Sequence, residues 1–489
     1  MAITATARVF DSLSPLDGRV VGTYAIHDDQ DVHNAVERAR AGAAGWRALG
    51  FGGRRSILVA WRRYVARHAA ELAGVMRAET GKPLGDAQLE ILLALDHIGW
   101  AAKNAERVLG RRRVPSGTLM FNQQSAVERV PFGVVGVIGP WNYPVFTPLG
   151  SITYALAAGN TIVFKPSEYT PGVGQWLVRS FAESGGDPGV FQLITGLGAT
   201  GAALCRAGVG KIAFTGSTAT GKVVMAACAQ TLTPVVIEAG GKDALLVDED
   251  ADLNAAAEAA VWGAYSNAGQ TCIGIERVYV HDRVYDLFME KTTTRIREIR
   301  AGTDEEATLG PITMPKQASI IRGHIEDALS AGGTLVLGGA PENGVVFPPT
   351  LLRDVPESSD AVREETFGPT LVVNRVSSMD EAVERANAVR YGLSGSVFSR
   401  KRGRELASRI RGGMIAINSV ISFAAVPGLP FGGTGESGFG RIHGDDGLRE
   451  FTYPKSTTRQ RFRFLTLTSM RRSAQIDRLV GRIIRILFG

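Results

Sequence analysis

Cys272 is the residue of this sequence with the clearest potential for covalent chemistry. It lies in the stretch SNAGQTCIG (residues 266–274), among small and polar residues and shortly after a glycine. A reactive thiol needs partial exposure and a polar setting that favours the thiolate. A single cysteine is nevertheless more often an inert packing residue. Cys272 is therefore predicted to be a nucleophile only if the rest of the chain supplies its partners.

Two polar residues at the ends of predicted strands are candidate partners. Asn142 lies in PWNYP (residues 140–144), where two prolines stiffen a loop that can aim the side-chain amide as a donor. Glu238 ends an apolar run, and a carboxylate at the edge of a buried site can have a raised pKa and act as a base. The alternatives are a tight turn at Asn142 and, for Glu238, a cap or a salt bridge with Lys242.

Two further strand ends carry residues suited to a nucleotide. The segment FTGSTATGK (residues 214–222) places a glycine turn before a helix, and the N–H groups and positive dipole of a helix N-terminus favour a phosphate. It is not the usual glycine fingerprint of dinucleotide-binding proteins. In KPSE (residues 165–168) a lysine and a carboxylate can bind ribose hydroxyls. A plain strand-to-helix turn and a surface ion pair are the alternatives.

Short apolar runs alternate with helical segments in two successive series, which is typical of parallel sheets covered by helices. In such sheets ligands bind at the carboxyl ends of the strands. We therefore predict an α/β fold with two doubly wound parallel-sheet domains. The predicted strands are residues 133–139, 161–166, 190–194, 211–215 and 235–237 in the first series, and residues 244–247, 278–280, 334–337, 370–374, 396–398 and 414–418 in the second.

Composition and charge exclude several classes of protein. Apolar residues make up 45% of the 489 residues and charged residues 21%, as in globular proteins. No signal peptide and no stretch long enough to span a bilayer is evident, and three cysteines suit a reducing compartment, so we expect a cytoplasmic protein. The net charge of +6 comes from residues 459–489, which hold eight arginines and one acidic residue. A nearly neutral body argues against nucleic-acid binding.

The chain also predicts features outside the two large sheets. Residues 113–130 are predicted to form a two-stranded ribbon, and residues 457–465 a strand. Farther on, one helical face carries Ile476, Leu479, Val480, Ile483 and Leu487, and another carries Arg478, Arg482 and Arg485. Such a basic amphipathic helix can lie on an anionic membrane, although packing on protein is the commoner use. Near the N-terminus, Arg54, Arg55, Arg62, Arg63 and Arg67 are predicted to form a solvated helix face.

Seven segments in register resemble the NAD(P)-dependent aldehyde dehydrogenase superfamily from about residue 8 to about residue 455. They are PWNYP (140–144), KPSE (165–168), FTGSTATG (214–221), IEAGGK (237–242), GQTC (269–272), EETFGP (364–369) and PFGGTGESGFGR (430–441), with ETGKP (79–83) upstream. The resemblance implies that Cys272 attacks the aldehyde carbonyl. It also implies that Asn142 and the Cys272 backbone N–H hold the oxyanion, and that Glu238 activates the water that hydrolyses the thioester.

The resemblance further implies a bound NAD. The positions that match cofactor-binding residues are Trp141, Lys165, Glu168, Gly216, Ser217, Gly221, Glu365 and Phe367. Glu168 can accept from both ribose hydroxyls and would repel a 2′-phosphate, so we expect NAD rather than NADP. Cys205 and Cys228 match no motif and are predicted to be packing residues.

The substrate is predicted only by class. Branches for acidic semialdehydes tend to carry an arginine in the part that matches residues 143–154, and this sequence has none there, which favours an apolar or aromatic aldehyde beside Phe146 and Phe423. Ala239 stands where the family more often has leucine. Branches that acylate coenzyme A typically lack the glutamate found here at 238. A semialdehyde dehydrogenase, a coenzyme A-acylating enzyme and a non-catalytic protein with the same fold are the alternatives.

The resemblance also divides the chain and implies self-association. The predicted parts are a Rossmann-like NAD-binding domain (residues 1–112 and 132–240), an oligomerisation extension (113–131 and 455–465), a catalytic domain (241–454) and a basic C-terminal helix (466–489). A homodimer or homotetramer is expected, with no metal, no nucleic acid, and contact with a membrane surface through the C-terminal helix as one possibility.

Overall fold

The structure is a computed structural model that describes residues 8–341, 344–463, 470 and 473–489, without the side chain of residue 487. These residues divide into two compact units. The first unit takes the chain up to Val108 together with Pro131–Thr452 and contains both large sheets. The second unit consists of Leu109–Val130 and Tyr453–Gly489.

Strands and helices alternate along most of the chain. The strands are β1 Val9–Leu13, β2 Val20–Ala25, β3 Arg112–Val114, β4 Gln123–Pro131, β5 Val134–Ile138, β6 Thr161–Lys165, β7 Phe191–Leu193, β8 Lys211–Gly216, β9 Val235–Ala239, β10 Asp243–Val247, β11 Ile275–His281, β12 Thr334–Leu337, β13 Thr350–Arg353, β14 Thr370–Val376, β15 Ser394–Phe398, β16 Met414–Ile417, β17 Gly438–Phe439 and β18 Thr452–Gln460. The helices are α1 Asp29–Ala48, α2 Gly50–Arg67, α3 Ala69–Thr80, α4 Leu84–Leu109, α5 Phe146–Ala158, α6 Pro171–Glu183, α7 Gly198–Arg206, α8 Thr218–Ala229, α9 Leu253–Tyr265, α10 Tyr285–Ile296, α11 Pro315–Ser330, α12 Asp360–Arg363, α13 Met379–Asn387, α14 Gly403–Arg409, α15 Gly444–Glu450 and α16 Ala474–Phe488.

The first large sheet has the strand order β17-β9-β8-β5-β6-β7. Its pairings are parallel except at β17, which runs antiparallel to β9. Ile138 pairs with Lys165 on one side of β5 and with Phe214 on the other, and Thr215 pairs with Glu238. The carboxyl ends of these four strands therefore meet at one edge, which is where ligands bind in such sheets.

The second large sheet has the order β12-β13-β14-β11-β10-β15-β16 and is parallel except for the β12–β13 pair. The two parallel-dominated sheets confirm the predicted fold class. Strand β13 was not predicted from the sequence. Its four residues, Thr350–Arg353, follow two prolines and are too few to show a pattern of alternation, so only their pairing with β14 reveals them.

Burial on both faces explains why the central strands are continuous apolar runs. All five residues of β6 and of β10 are buried, and so is every residue of α5. The predicted arginine face is wrong at Arg54, which is only 4% exposed. Its guanidinium donates to the carbonyl oxygens of Ala157 (3.2 Å) and Arg47 (3.3 Å), and burial lowers its pKa to about 10.

The second unit contains a three-stranded sheet of order β18-β4-β3 and the helix α16. Strands β3 and β4 are antiparallel, with Arg112 opposite Val127, which confirms the predicted ribbon. The tail strand covers Thr452–Gln460 rather than the predicted residues 457–465, because its extent follows its partner β4. Residues 464 and 465 lie outside the described residues. In the part of the chain that is described, no helix combines the length and hydropathy needed to cross a membrane.

Candidate active site

Cys272 follows a turn with an uncommon backbone conformation. Asn267, Ala268 and Gly269 have φ values of 53°, 56° and 71°, a left-handed region that costs a non-glycine residue about 1–2 kcal/mol. A Cβ on Gly269 would overlap the carbonyl oxygen of Gly368, so only glycine fits there. The turn ends α9 abruptly and leaves Cys272 half-buried.

Asn142 lies against the loop that carries Cys272 (residues 266–272, the cysteine loop), although 130 positions separate Asn142 from Cys272 in the sequence. Its side-chain Nδ2 donates to the carbonyl oxygen of Gln270 at 2.9 Å, and Asn267 Nδ2 donates to the backbone oxygens of both Asn142 and Gln270 at 3.1 Å. The hydroxyls of Tyr143 and Thr271 are 3.0 Å apart. An amide has two N–H groups, so one can anchor Asn142 while the other binds a ligand.

Glu238 is buried at 3% exposure near the end of β9, and its side chain interacts with the Cys272 thiol. Burial raises the pKa of Glu238 to about 7, although the Cys272 thiol and the Thr215 side chain oppose the rise. Neither carboxylate oxygen has a hydrogen-bond partner of regular geometry among the described residues. Burial, with the nearby Glu238 and Glu365 carboxyls, raises the pKa of the Cys272 thiol well above its usual value. A neutral thiol therefore faces a carboxyl that titrates near neutral pH.

Glu365 and Phe367 approach the same centre from the second large sheet. The Glu365 carboxylate is close to Gly240, accepts from the Gly241 N–H at 3.2 Å, and has a pKa that burial raises well above its usual value. Phe367 has a φ of 52° and contacts the Trp141 ring edge-on, with centroids 5.5 Å apart. The predicted cofactor residues Trp141, Glu365 and Phe367 are thus close to the cysteine loop or to each other.

The other predicted cofactor residues lie at the carboxyl edge of the first large sheet. Ser217 caps α8, its Oγ accepting from the Thr220 N–H at 3.3 Å. Gly216 ends β8, and Gly221 is buried where a Cβ would come within 3.1 Å of Ile237. A helix N-terminus of this kind fits a phosphate group.

Lys165 ends β6 and is only 4% exposed, so the alternative of a surface ion pair with Glu168 is wrong. Its Nζ donates to the Pro166 carbonyl oxygen at 3.1 Å, and burial lowers its pKa. The half-buried Glu168 carboxylate is 3.4 Å from the Ser167 hydroxyl. A cation and an anion at the end of β6, on the same sheet edge as the α8 N-terminus and two strands away from it, fit the sugar of a nucleotide cofactor.

An apolar cavity of about 630 Å³, including its open mouth, leads to Cys272. Phe146 lines it as predicted, whereas Phe423 is buried and its neighbour Ala424 lines the wall instead. The remaining apolar lining residues are Leu89, Leu93, Trp262, Ile273, Ile421 and Phe431. Two carboxyls, those of Asp86 and Glu90, also reach the cavity, and no basic side chain of the described residues lines it.

Comparison with known proteins identifies the family of this chain. The sequence model of the aldehyde dehydrogenase family matches residues 3–457, which is nearly the whole chain. The chain belongs to the aldehyde dehydrogenase family. It is 37% identical over 456 residues to 4,4'-diapolycopene aldehyde oxidase of Methylomonas sp, covering 92% of this chain and 86% of that protein.

Other members of the family are about equally similar. The protein named "Probable succinate-semialdehyde dehydrogenase (NADP+)" of Sinorhizobium fredii is 35% identical over 453 residues, covering 90% of this chain and 91% of its own. Among solved structures, PnpE in complex with nicotinamide adenine dinucleotide superposes with a TM-score of 0.90 at 34% identity, covering 95% of this chain and 96% of that one. The PnpE protein comes from Pseudomonas sp. WBC-3.

A buried ion pair that the sequence analysis did not single out supports the Asn142 loop. Lys82 Nζ is 2.6 Å from Glu90 Oε2 and donates to the Asn142 carbonyl oxygen at 2.8 Å. Glu90 Oε1 accepts from the N–H groups of Val145 and Phe146 at 2.8 and 3.0 Å. Removing one partner of such a pair leaves a buried charge and costs about 3–5 kcal/mol. The only sequence signal was ETGKP, which contains Lys82 and matches the aldehyde dehydrogenase family.

A second buried ion pair places the loop that carries Glu365. Lys242 pairs with Glu276 and not with Glu238, so the alternative of a Lys242–Glu238 salt bridge is wrong. Glu276 also accepts from the N–H groups of Thr366 (2.8 Å) and Phe367 (3.0 Å). Among the residues that the structure describes, the carboxyl of Glu238 thus has no lysine partner and can face the thiol.

The remaining cysteines behave as packing residues, as predicted. Cys205 in α7 and Cys228 in α8 are both about 1% exposed and belong to the apolar core on one face of the first large sheet. Their side chains interact with each other, and the neighbouring thiol and burial together raise the pKa of Cys205 beyond its usual range. Neither residue lines the cavity that leads to Cys272.

Proposed function

We propose that this chain is an NAD-dependent aldehyde dehydrogenase that oxidises an apolar or aromatic aldehyde to the carboxylic acid. The observation that carries the proposal is the meeting of three side chains from distant parts of the chain. Asn142 is hydrogen-bonded to the cysteine loop, and Glu238 interacts with the Cys272 thiol itself. Cys272 in turn lines the apolar cavity by which a substrate can enter.

The proposed chemistry begins with the transfer of the thiol proton from Cys272 to Glu238. The thiolate sulfur then forms a bond to the aldehyde carbon, while Asn142 Nδ2 and the Cys272 backbone N–H donate to the developing oxyanion. A bound NAD would supply the acceptor for the hydride that leaves this carbon, and the loss of the hydride would leave a thioester on Cys272. Glu238, having released the thiol proton to solvent, takes one proton from water as the water oxygen forms a bond to the thioester carbon. The carbon–sulfur bond then breaks, the Cys272 sulfur takes the proton back from Glu238, and the carboxylic acid leaves.

The cofactor is proposed to bind at the carboxyl edge of the first large sheet. Ser217 and the α8 N-terminus would hold the pyrophosphate, with Gly216 and Gly221 allowing close approach. The other proposed contacts are Lys165 and Glu168 to the adenosine ribose, and Trp141, Glu365 and Phe367 to the nicotinamide half. Relatives differ in cofactor, since one is named for NADP and a solved neighbour contains NAD. The preference for NAD therefore rests on the negative charge of Glu168.

We expect Glu168→Gln to raise kcat/KM for NADP relative to NAD by about 5- to 10-fold. Removing one carboxylate beside a 2′-phosphate relieves a repulsion of about 1 kcal/mol in a solvated site. The measurement is the initial rate of reduced-cofactor formation with each cofactor at fixed aldehyde. Glu384→Gln, a change at an exposed residue of α13, is the control and should leave the ratio unchanged. An unaltered ratio in Glu168→Gln would mean that this carboxylate does not approach the 2′ position.

The apolar lining of the cavity is the reason for proposing an apolar substrate. A semialdehyde with a terminal carboxylate would meet the Asp86 carboxyl and a largely apolar wall, because no basic side chain of the described residues lines the cavity. We expect kcat/KM to rise about 50-fold from propanal to hexanal, since each buried methylene contributes about 0.8 kcal/mol. Rates of NADH formation with these aldehydes, benzaldehyde and succinic semialdehyde test the proposal. Highest kcat/KM for succinic semialdehyde would overturn it.

Two alternatives have direct tests of their own. A coenzyme A-acylating enzyme would form a thioester product only when coenzyme A is added, and the presence of Glu238 argues against it. A non-catalytic member of the fold would show no turnover with any aldehyde.

We also propose a cytoplasmic homodimer or homotetramer that associates through the β18-β4-β3 sheet. Light scattering of the purified chain measures the mass of this assembly.

A further inference from the structure

The C-terminal helix α16 lies beyond the part of the chain that matches the family. The match ends at residue 457, whereas α16 spans Ala474–Phe488. Ser473 caps it, its Oγ accepting from the Ile476 N–H at 3.4 Å. The proposed aldehyde chemistry gives this helix no role, so its pattern needs a separate explanation.

Helical geometry separates the side chains of α16 into two faces. At about 100° per residue, the three arginines fall within about 60° of one another. The apolar residues occupy most of the opposite side. The basic face consists of Arg478, Arg482 and Arg485; the apolar face includes Ile476, Leu479, Val480 and Ile483 of the predicted set, with Ile486 beside Leu479 at its border. This segregation is the pattern of helices that lie in the plane of a membrane interface.

The apolar face of α16 is exposed in part: Leu479 and Ile486 are exposed, whereas Ile476, Val480 and Ile483 are half-buried. None of the described side chains of the helix is buried. Leu479 and Ile486 are 38% and 81% exposed, and Ile484, at the other border of the apolar side, is 54% exposed. Large apolar side chains left exposed on one helix mark a surface that a partner can cover.

The charge around α16 decides between a bilayer and a second copy of the chain. Residues 459–489 hold eight arginines and one acidic residue. Packing this segment on its own copy would bring like charges together, whereas an anionic bilayer offers complementary charge and an apolar layer at once. With 15 residues, α16 is shorter than the roughly 20 needed to span the hydrocarbon core.

We propose that α16 docks this protein on the surface of an anionic lipid bilayer. The helix lies parallel to the membrane plane, with its apolar face at the boundary between headgroups and acyl chains. Its arginines reach the lipid phosphates. Vesicle binding is measured without aldehyde or cofactor. Membrane docking can therefore fail while the proposed enzyme activity is confirmed, and the enzyme activity can fail while membrane docking is confirmed.

The test is co-sedimentation of the full-length protein with vesicles of phosphatidylcholine containing phosphatidylglycerol. Pure phosphatidylcholine vesicles provide the comparison. Each arginine near an anionic surface contributes about fivefold in affinity, so Arg478→Gln with Arg482→Gln and Arg485→Gln is expected to weaken binding about 100-fold. Raising the salt concentration should also weaken vesicle binding by the wild-type protein, because salt screens the attraction between the arginines and the lipid phosphates.

A matched control neutralises three exposed arginines of α2. Arg55→Gln with Arg63→Gln and Arg67→Gln removes the same charge but should leave vesicle binding unchanged. Ile483→Asp with Ile486→Asp should abolish binding although it leaves the arginines in place. Thermal melting of each variant shows that the fold is retained.

Two results would overturn the proposal. One is wild-type protein that stays in the supernatant with phosphatidylglycerol vesicles at low salt. The other is a chain ending at residue 472 that binds these vesicles as well as the full chain does. If that shortened chain also forms a smaller assembly by light scattering, α16 is a contact between subunits instead.

Discussion

Replacing Cys272 by serine is expected to lower kcat/KM for every aldehyde by at least about 10⁴-fold while cofactor binding is retained. A serine hydroxyl occupies nearly the same space, but it is a far weaker nucleophile and would not form the thioester. The Gln270 carbonyl and the Asn142 amide do not depend on the sulfur, so the loop should keep its shape. Initial rates and a titration of NAD by protein fluorescence measure the two quantities separately.

The other two cysteines serve as matched controls for this substitution. Cys205→Ala and Cys228→Ala remove a thiol from the core between α7 and α8, at a distance in sequence and structure from the cavity that holds Cys272. Each should lower thermal stability and leave kcat/KM nearly unchanged. Turnover that survives in Cys272→Ser at the wild-type rate would show that another group is the nucleophile.

Replacing Glu238 by glutamine is expected to lower steady-state turnover by about 10²- to 10⁴-fold, the usual contribution of a general base. The amide keeps the shape of the carboxyl but cannot take a proton from water. Hydride transfer precedes hydrolysis, so one equivalent of NADH per active site should still form, although more slowly. Stopped-flow absorbance shows both the burst and the slow phase. A variant that turns over repeatedly at the wild-type rate would remove Glu238 from the reaction.

The wild-type enzyme should lose activity in acid because of this same carboxyl. The pKa of Glu238 is raised from 4.5 to about 7 by burial, so below pH 7 it is protonated and cannot act as a base. We expect the kcat of the wild-type enzyme to rise with pH through an apparent pKa near 7. The residual kcat of Glu238→Gln should not show this rise.

The stability of the protein should respond to Glu238 in the opposite sense. A carboxyl with a raised pKa in the folded state favours folding fully below its unfolded value of 4.5, and that contribution is lost as the pH rises through about 7. Glu238→Gln should therefore raise the melting temperature at pH 8, by an amount corresponding to at most about 3 kcal/mol. A lower melting temperature would mean that the loss of turnover reflects damage to the fold.

Much of the fold could be predicted because parallel strands buried on both faces are continuous apolar runs. The runs at Val134–Ile138 and Thr161–Lys165 are of this kind. Strand β13, with four residues, and β17, with two, carry no such pattern and become visible only through their pairing. β17 also brings the glycine-rich segment of residues 430–441 back to the first large sheet, beside Glu238, which no local pattern could indicate.

The residues of the candidate site that lie in short motifs could be predicted from the sequence. The residues that hold those motifs in position through long-range contacts could not. Cys272, Asn142 and Glu238 each stand in a short recognisable segment. The ion pairs Lys82–Glu90 and Lys242–Glu276 join positions that no periodicity connects. Arg54 shows the same limit, since a helical pattern of arginines predicts a solvated face and only the packing of α2 on α5 reveals the burial.

Mass spectrometry of a trapped intermediate tests most directly whether these residues act as one catalytic centre. Glu238→Gln is mixed with NAD and hexanal, quenched in acid, digested and analysed. The proposed reaction predicts a hexanoyl group on the peptide that contains Cys272, approaching one per chain, and none when NAD is omitted. An unmodified Cys272 peptide after NADH has formed, or an acyl group on Cys205 or Cys228, would contradict it.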